Sequence, residues 1–350
     1  MKSILTFLFI WLISVSVIYS QEFTDAISSD TFSTAIDMFE VPAPMDITLT
    51  YDMKAFQREK NKDDYRDVHF LYQFNDTTTI EHTMRIKPRG KFRKSHCSYA
   101  PFWLNIRKAD VLNENLQEVK KFKVVTQCKG GKDYSDYVLK EYLTYKILNL
   151  LTPVSFRVRL VHMKYIDTGR KNKETESWGF LIEPEEMLAE RNDGIAVKKD
   201  EISMRFMRPE EMDLAALFQY MVGNPDYSIA GRHNMKLLGL PGFGSEGYTP
   251  VPYDFDYTGL VNAEYAIPGE NLGITSVTQR YFLGPCREDQ EYQVAIDHIN
   301  SHREEILELV SDFPILREKH KQEMLDYLES YFQSASEDNF INRKLKSTCR

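Results

Sequence analysis

The chain lacks several signatures that would name an enzyme class directly. It has no phosphate-binding P-loop, no Rossmann glycine pattern, no Gly-x-Ser-x-Gly and no His-Glu-x-x-His. It also lacks an excess of positive charge, since 44 Lys and Arg face 52 Asp and Glu and give a net charge of -8. A general nucleic-acid-coating role is therefore disfavoured, and we expect no nucleic-acid partner, although a local basic patch is compatible with this balance.

Repeats and low-complexity tracts are absent as well, and apolar residues are plentiful. Hydrophobic residues make up 42% of the 350 residues and aromatic residues 13%, which is too much apolar material for a disordered or collagen-like chain. The length predicts one large domain or two coupled lobes.

Only one segment is both long and apolar. Lys2 precedes an uncharged run from Ile4 to Ile18, and the small Ser20 follows. This layout predicts a secretory signal peptide over residues 1–20, cleaved after Ser20, with an uncleaved membrane anchor as the alternative. We therefore expect an exported protein, periplasmic or extracellular, with no membrane span after signal cleavage.

Cysteine is scarce, and its spacing limits its use. The four cysteines are Cys97, Cys128, Cys286 and Cys349. An exported protein keeps disulfides, and we favour the pairs Cys97–Cys128 and Cys286–Cys349 because each lies within one half of the chain. A zinc site is the weaker alternative, because no two cysteines have the short spacing of zinc ligands.

The hydrophobic periodicity changes along the chain. An N-terminal extension or linker over 21–44 precedes several alternating β-type stretches and one helix between Asp136 and Leu151, which together form a β-rich lobe over 45–183. Residues 184–350 read mainly as helices, beginning at Pro209. The pattern predicts an α+β protein of two lobes, and a cleft between them is a common place for a ligand.

A basic segment stands out in this acidic chain. Six of the ten residues from Arg85 to Lys94 are Lys or Arg. On a strand, Arg85, Lys87 and Arg89 share one face, and Gly90 lets the backbone approach a ligand closely. The segment is interpreted either as a phosphate-binding strand and turn or as a solvated edge strand protected by charge.

Three further charges fall on a predicted strand and on the helix that follows it. Lys121 and Lys123 share one face of a predicted strand, and a lysine on an inner face needs an anionic partner. Glu141, on the following helix, is the candidate partner. The alternative is that all of these are ordinary surface charges.

Acidic and amide side chains cluster in the second half. Asp254 and Asp256, two positions apart after a β-like run, offer oxygen ligands to a divalent cation, and Asn234 is placed to complete that metal site. Asp226 could accept a proton from a hydroxyl, or it could be a turn residue in Asn-Pro-Asp. One or two Asp-x-Asp triplets arise by chance in a chain of this length, so this triplet is weak evidence by itself. The order of all these motifs along the chain is more informative than any single one.

That order is typical of a kinase-type phosphotransferase: basic glycine turn, strand Lys, helix Glu, connector, Asp, Asn, then Asp. In this interpretation Glu183, where the connector leaves the sheet, lies near the nucleotide base, with a plain surface charge as the alternative.

The chain resembles the spore-coat CotH family of secretory-type atypical kinases and, more distantly, HipA-like kinases, over roughly residues 45–340. The resemblance rests on five short segments, each similar to a family motif: Arg85 to Gly90, Lys121-Phe122-Lys123, Leu139 to Tyr145, Asn224-Pro225-Asp226 with Asn234, and Val251 to Asp256. It implies a two-lobed protein-kinase-like fold that uses ATP and Mg²⁺ or Mn²⁺.

The resemblance also implies roles for single residues. Lys123, with Lys121 as the alternate, would be the phosphate lysine, paired with Glu141. Asp226 would be catalytic, whereas Asn234 and Asp254 would hold the metal. One departure is the spacing of eight positions between Asp226 and Asn234, where related kinases have about five.

The favoured function is an exported phosphotransferase acting on a protein, glycan or other hydroxyl acceptor. Because an exported protein is expected to meet little ATP, a catalytically inactive kinase-fold binding or scaffold domain of the cell envelope is the alternative from another class. A third possibility is a related chemistry, such as nucleotidyl transfer or glycan modification.

Overall fold

The computed structural model describes residues 39–40, 42–73, 79–90, 92–105, 121–240 and 247–350. Ala43–Arg350 forms one compact unit. The predicted signal peptide over 1–20 and most of the predicted 21–44 extension lie outside the described residues.

Seven strands dominate the first half of the chain. They are β1 Met45–Tyr51, β2 Arg66–Gln73, β3 Thr79–Pro88, β4 Phe102–Asn105, β5 Lys121–Thr126, β6 Val158–Asp167 and β7 Lys173–Ile182. They pair in the order β1-β2-β3-β4-β5-β7-β6 and close into a barrel. The closing pair, β1 with β6, is parallel, and the other pairs are antiparallel.

Alternating side chains explain why the strands curl around a core. On β1, every second residue from Met45 to Tyr51 is buried, and on β3, Met84, Ile86 and Pro88 are buried between partly exposed neighbours. This period of two places one face of each strand toward the interior and leaves the other for charged or covering groups.

The predicted two-lobed protein-kinase-like fold, with a sheet N-lobe and a helical C-lobe, is wrong. The β-rich part is a closed seven-stranded mixed barrel, because Met45 to Tyr51 pairs with Val161 to Asp167. The later part is not simply helical, because it contains a second sheet. Local alternation predicted most of the strands but carries no information about which distant strand closes the sheet.

Eight α-helices are described. They are α1 Met53–Arg58, α2 Phe92–His96, α3 Lys132–Leu151, α4 Glu185–Glu190, α5 Pro209–Met221, α6 Asp289–Ser301, α7 Arg303–Ser311 and α8 Glu318–Ala335. Helix α3 contacts β7 on one side and α7 on another, so nearly every side of it is buried. None of the described helices combines the length and apolar character needed to cross a bilayer.

A small antiparallel sheet follows the barrel. Its strands are β8 Ile195–Ala196, β9 Met235–Gly239 and β10 Thr249–Pro252, in the order β10-β9-β8. Met235 pairs with Pro252, so the residues just before β9 and just after β10 meet at one end of the sheet.

The predicted disulfide pairing is confirmed. Cys97 is bonded to Cys128 and Cys286 to Cys349, with Cα atoms 4.5 and 4.9 Å apart. Both bonds fit a secreted protein, since disulfides persist in oxidising compartments.

Candidate functional site

The largest concentration of predicted site residues lines one cavity between the barrel and the small sheet. Its volume is ≈ 670 Å³, which is within the usual range for a small-molecule site. Its lining includes Arg89, Gly90, Trp103, Lys121, Lys123, Glu185, Lys236, Tyr253 and Asp254.

The barrel wall of this cavity is cationic. Lys123 on β5 is in register with Trp103 on β4, and the ammonium groups of both Lys121 and Lys123 lie over the Trp103 ring, 4.7 and 5.9 Å from its centroid. Arg89 also lies over Trp103, at 5.6 Å. Cations over aromatic faces are attracted to the rings, so Trp103 gathers three positive charges on one wall.

Lys123 is the most strongly perturbed of these cations. Its ammonium lies 4.6 Å from the centroid of the Tyr253 ring across the cavity. Burial and, to a smaller extent, the positive charges of Arg89 and Lys236 together lower the pKa of Lys123 to about 7. Asp254 acts in the opposite direction but does not cancel the shift. A lysine in this state gains most from an anion that restores its proton.

Only part of the basic segment from Arg85 to Lys94 lines the cavity. Gly90 lines the cavity with φ +82°, a conformation that favours glycine, and Arg89 N–H donates to the Pro101 carbonyl at 2.8 Å. Arg85, predicted to bind cofactor, instead lies over the Tyr65 ring, 5.2 Å from its centroid. It is not among the residues that line the cavity.

The β9–β10 hairpin brings the predicted Asn and Asp residues together. Tyr253 N–H donates to the Asn234 carbonyl at 3.1 Å, so Asp254 follows directly beside Asn234. The Asn234 amide donates to the Asp226 carboxylate at 3.1 Å and to its backbone carbonyl at 2.8 Å. The eight-position spacing therefore does not separate Asp226 from Asn234.

Asp226 has both a turn role and an available carboxylate. Its N–H donates to the Asn224 side chain at 3.0 Å, which is the turn anticipated for Asn-Pro-Asp. Its Oδ1 lies 3.0 Å from His233 Nε2, and its side chain is 39% exposed. The carboxylate is held in place and still reaches solvent, as a group that orients a hydroxyl must.

The Asp-Phe-Asp segment is fixed by its central ring. Phe255 is fully buried and packs edge-on against Tyr145, with centroids 4.6 Å apart, and against Phe218 at 5.6 Å. The Tyr145 hydroxyl also accepts the Asp254 N–H at 2.8 Å, and Asp254 has φ +65°. Because Phe255 is anchored in the core, Asp254 is presented to the cavity while Asp256 is buried.

Asp256 belongs to a buried charge cluster with Glu141, Arg93 and Tyr265. Arg93 Nη1 lies 3.6 Å from Glu141 Oε2 and 3.9 Å from Asp256 Oδ2, too far for strong hydrogen bonds. Glu141 Oε1 and Asp256 Oδ2 have no hydrogen-bond partner among the described residues. Unpartnered buried carboxylate oxygens are costly, so this cluster has the capacity to hold a cation.

The pKa values of this cluster reflect its crowding. Burial and the negative charge of Asp254 raise the pKa of Asp256 to about 7, against the opposing effect of Arg93. Burial and then Asp256 raise the pKa of Glu141 well above its usual range. A divalent cation bound among these oxygens would lower the pKa values of both carboxyl groups.

Glu141 is joined to Arg93, and the predicted Lys123–Glu141 ion pair is not among the salt bridges of the described residues. Arg93 was part of the basic segment but was given no role, because its helix α2 was not predicted. Lys236 was also missed, whereas Tyr253 was included in the Val251 to Asp256 segment without a role of its own.

Glu183, predicted to lie near a nucleotide base, is buried and paired. It accepts hydrogen bonds from Arg157 Nε and Arg191 Nε, each at 2.9 Å. It is not among the cavity-lining residues, and its predicted role stays a prediction.

Another group of possible metal-binding atoms lies on α3 and α8. Asp133, Asp136 and His320 bring one ligand atom each to within 4.8 Å of one another. The Arg317 guanidinium bonds to both carboxylates, so an internal cation already occupies this group.

No protein-family model matches the chain, and no curated protein matches it significantly.

Proposed function

We propose that this protein is an exported phosphotransferase that binds ATP with Mg²⁺ or Mn²⁺ and transfers phosphate to a hydroxyl of a protein, glycan or other acceptor. The observation that carries the proposal is the presence of both kinds of charge at one cavity. Lys121, Lys123 and Arg89 line it together with Asp254, and the buried Asp256 and Glu141 are close enough to Asp254 for its charge to raise their pKa values. Phosphoryl transfer needs these two kinds of group side by side.

The cationic wall is assigned to the phosphates. Lys123, with Lys121 and Arg89 beside it, contributes positive charge, and Gly90 lets the backbone approach the ligand. A phosphate near Lys123 favours its protonated form, so binding above pH 7 takes up a proton.

Asn234, Asp254 and Asp256 would hold the divalent cation. Their oxygen donors suit a hard ion, and the unpartnered Asp256 Oδ2 supports this assignment. A bound ion supplies charge neutralisation at the phosphates. Glu141 is placed behind Asp256, joined to Arg93, and contributes negative charge to the same cluster.

Asp226 is assigned to the acceptor. Its carboxylate, oriented by His233 and Asn234, would orient the acceptor hydroxyl and receive its proton. This role would place the acceptor at the end of the small sheet, where Asp226 is exposed.

The deciding experiment measures Mg²⁺-dependent ATP binding by calorimetry and by the rise in melting temperature. Asp254→Ala should abolish binding while changing stability little, since it removes a partly exposed ligand and leaves no apolar cavity. Asp338→Ala, at an exposed position, is the matched control and should bind normally. Normal binding by Asp254→Ala would overturn the proposal, and so would an absence of binding by the unaltered protein.

A binding domain without turnover is the second candidate, because both Asp226 oxygens are already engaged by His233 and Asn234. Asp226→Ala separates the two. Loss of phosphate transfer with ATP binding retained supports the enzyme, whereas ATP binding without transfer in the unaltered protein favours the binding domain.

A further inference from the structure

A second cavity, with a volume of ≈ 620 Å³, lies apart from the first and shares no lining residue with it. It is lined by helix α1 with Lys60 after it, by His96 to Tyr99 at the end of α2, by Gly130, and by the β6–β7 turn with the first residues of β7. Five of its lining residues are cationic and one is acidic. They are Lys54, Arg58, Lys60, Arg170 and Lys173, with Asp167.

The single carboxylate is already used by the fold. Asp167 is buried, and its Oδ1 accepts the N–H groups of Met53 and Gly169, each at 3.0 Å. Its Oδ2 lies 3.6 Å from Arg170 Nε. Asp167 therefore holds the turn against α1 and leaves most of the positive charge uncompensated.

The neighbouring carboxylates also interact with groups other than the cationic residues that line the cavity. Asp52 accepts the Ala55 N–H at 2.8 Å, and Glu59 pairs with Lys62 and Arg66. Within the described ranges, no ion pair joins Lys54, Arg58 or Lys173 to a carboxylate. So much like charge around one cavity is unusual in a protein of net charge -8.

The wall of this cavity contains a lysine that is held by a hydrogen bond and two buried oxygens that lack a hydrogen-bond partner. Lys60 Nζ donates to the Cys97 carbonyl at 2.9 Å, which fixes it beside the disulfide. Gln57 Oε1 and Thr175 Oγ1 are buried and have no hydrogen-bond partner among the described residues. The Thr175 hydroxyl can donate to an anion, whereas the Gln57 carbonyl oxygen can only accept, as it would from a hydroxyl of the same ligand.

We propose that this second cavity binds a small ligand carrying a phosphate or sulfate group. A tetrahedral oxyanion offers several acceptor oxygens to ammonium and guanidinium donors that converge from different sides. The volume fits a compact ligand such as a sugar ester. This site does not depend on the proposed phosphotransferase activity.

The test is calorimetric titration of the full chain, with chelator present, using inorganic phosphate, inorganic sulfate and a sugar phosphate as separate probes. We expect saturable binding of at least one probe. The double variant Arg58→Gln/Lys173→Gln should weaken it about tenfold or more, because two charge-assisted contacts are lost. Thr175→Val, which keeps the volume, should weaken it about two- to fivefold through one neutral hydrogen bond.

Two controls separate this site from others. Lys319→Gln removes one charge from a side chain that is 79% exposed and should leave binding unchanged. The Arg58/Lys173 double variant should keep Mg²⁺-dependent ATP binding. Equal probe binding by the double variant and Lys319→Gln overturns the proposal. No binding of any probe also overturns it.

Discussion

Two buried carboxylate clusters lie at opposite extremes of hydrogen-bond satisfaction. Glu183 is enclosed by Arg157 and Arg191, with several contacts between 2.8 and 3.0 Å. Glu141 and Asp256 share the single Arg93, at 3.6 and 3.9 Å, and each keeps an unpartnered oxygen. The same chemical groups are paired closely in one place and loosely in the other.

The difference separates a structural role from a candidate functional one. Short contacts to two arginines offset the desolvation of Glu183 and connect the end of β7 to the segment before β6. In the Arg93 cluster the desolvation of Glu141 and Asp256 is offset only in part, since burial and mutual repulsion raise the pKa values of both carboxyl groups. Perturbed groups in a cluster beside a cavity are typical of binding sites.

The largest expected effect is on the satisfied cluster. Glu183→Ala should lower the free energy of unfolding by about 3–5 kcal/mol, because two arginines lose a buried partner. Denaturant unfolding measures this, with Glu174→Ala as the control. Glu174 pairs with Lys164 at the surface, so that variant should cost less than about 1 kcal/mol. An equal loss of unfolding free energy in both variants would contradict the proposed difference between the buried pair and the surface pair.

The disulfide next to α2 should matter nearly as much. The variant Cys97→Ser/Cys128→Ser should lose about 2–4 kcal/mol of unfolding free energy and also weaken divalent-cation binding. Cys97 N–H donates to the Arg93 carbonyl at 2.9 Å, so the disulfide helps to fix the Arg93 helix. Cys286→Ser/Cys349→Ser should have a similar stability cost but retain cation binding. Cation binding that is equally affected in both would contradict a local role.

The third prediction concerns pH. The pKa of Asp256 is raised in the folded protein to about 7, so its contribution to stability is lost as pH rises from about 4 through 7. A divalent cation requires the deprotonated carboxylate, so Mn²⁺ affinity should rise about tenfold per pH unit up to about pH 7. Melting curves with and without Mn²⁺ at several pH values measure it. A pH-independent Mn²⁺ effect would place the ion elsewhere.

The smallest effect is expected at the unsatisfied cluster itself. Asp256→Asn without metal should lower the unfolding free energy by no more than about 1 kcal/mol at pH 8, and a rise is equally consistent, since it removes a poorly compensated charge. The variant should also lose the fall in stability between about pH 4 and 7. Destabilisation as large as that of Glu183→Ala would show that Asp256 is structural.

Much of the secondary structure was readable from the sequence because it depends on local periodicity. The start of the helix at Pro209 and the end of the helix at Leu151 were predicted, and the alternating stretches within residues 45–183 form strands of the barrel. The β-like run before Asp254 is strand β10, whereas the short strand β9 was missed inside a loop region. Four or five residues carry too little pattern to distinguish a strand from a loop.

The candidate site was predictable in its residue types but not in its partners. The sequence indicated Asp226, Asn234 and Asp254 as neighbours, and the β9–β10 register brings them together. It also indicated Lys123 with Glu141, whereas Glu141 pairs with Arg93. Such pairing is decided by α2, a five-residue helix whose position depends on the Cys97–Cys128 bond.

The sequence by itself determined which residues could be buried and which segments could be strands or helices, and it favoured the observed cysteine pairs without determining them. Only the tertiary structure decided that β1 closes a barrel with β6, and that Arg93 rather than Lys123 faces Glu141. The physical reason is separation along the chain. Met45 pairs with Val161, and a contact that closes so long a loop is selected by the packing of the whole core, which no local pattern encodes.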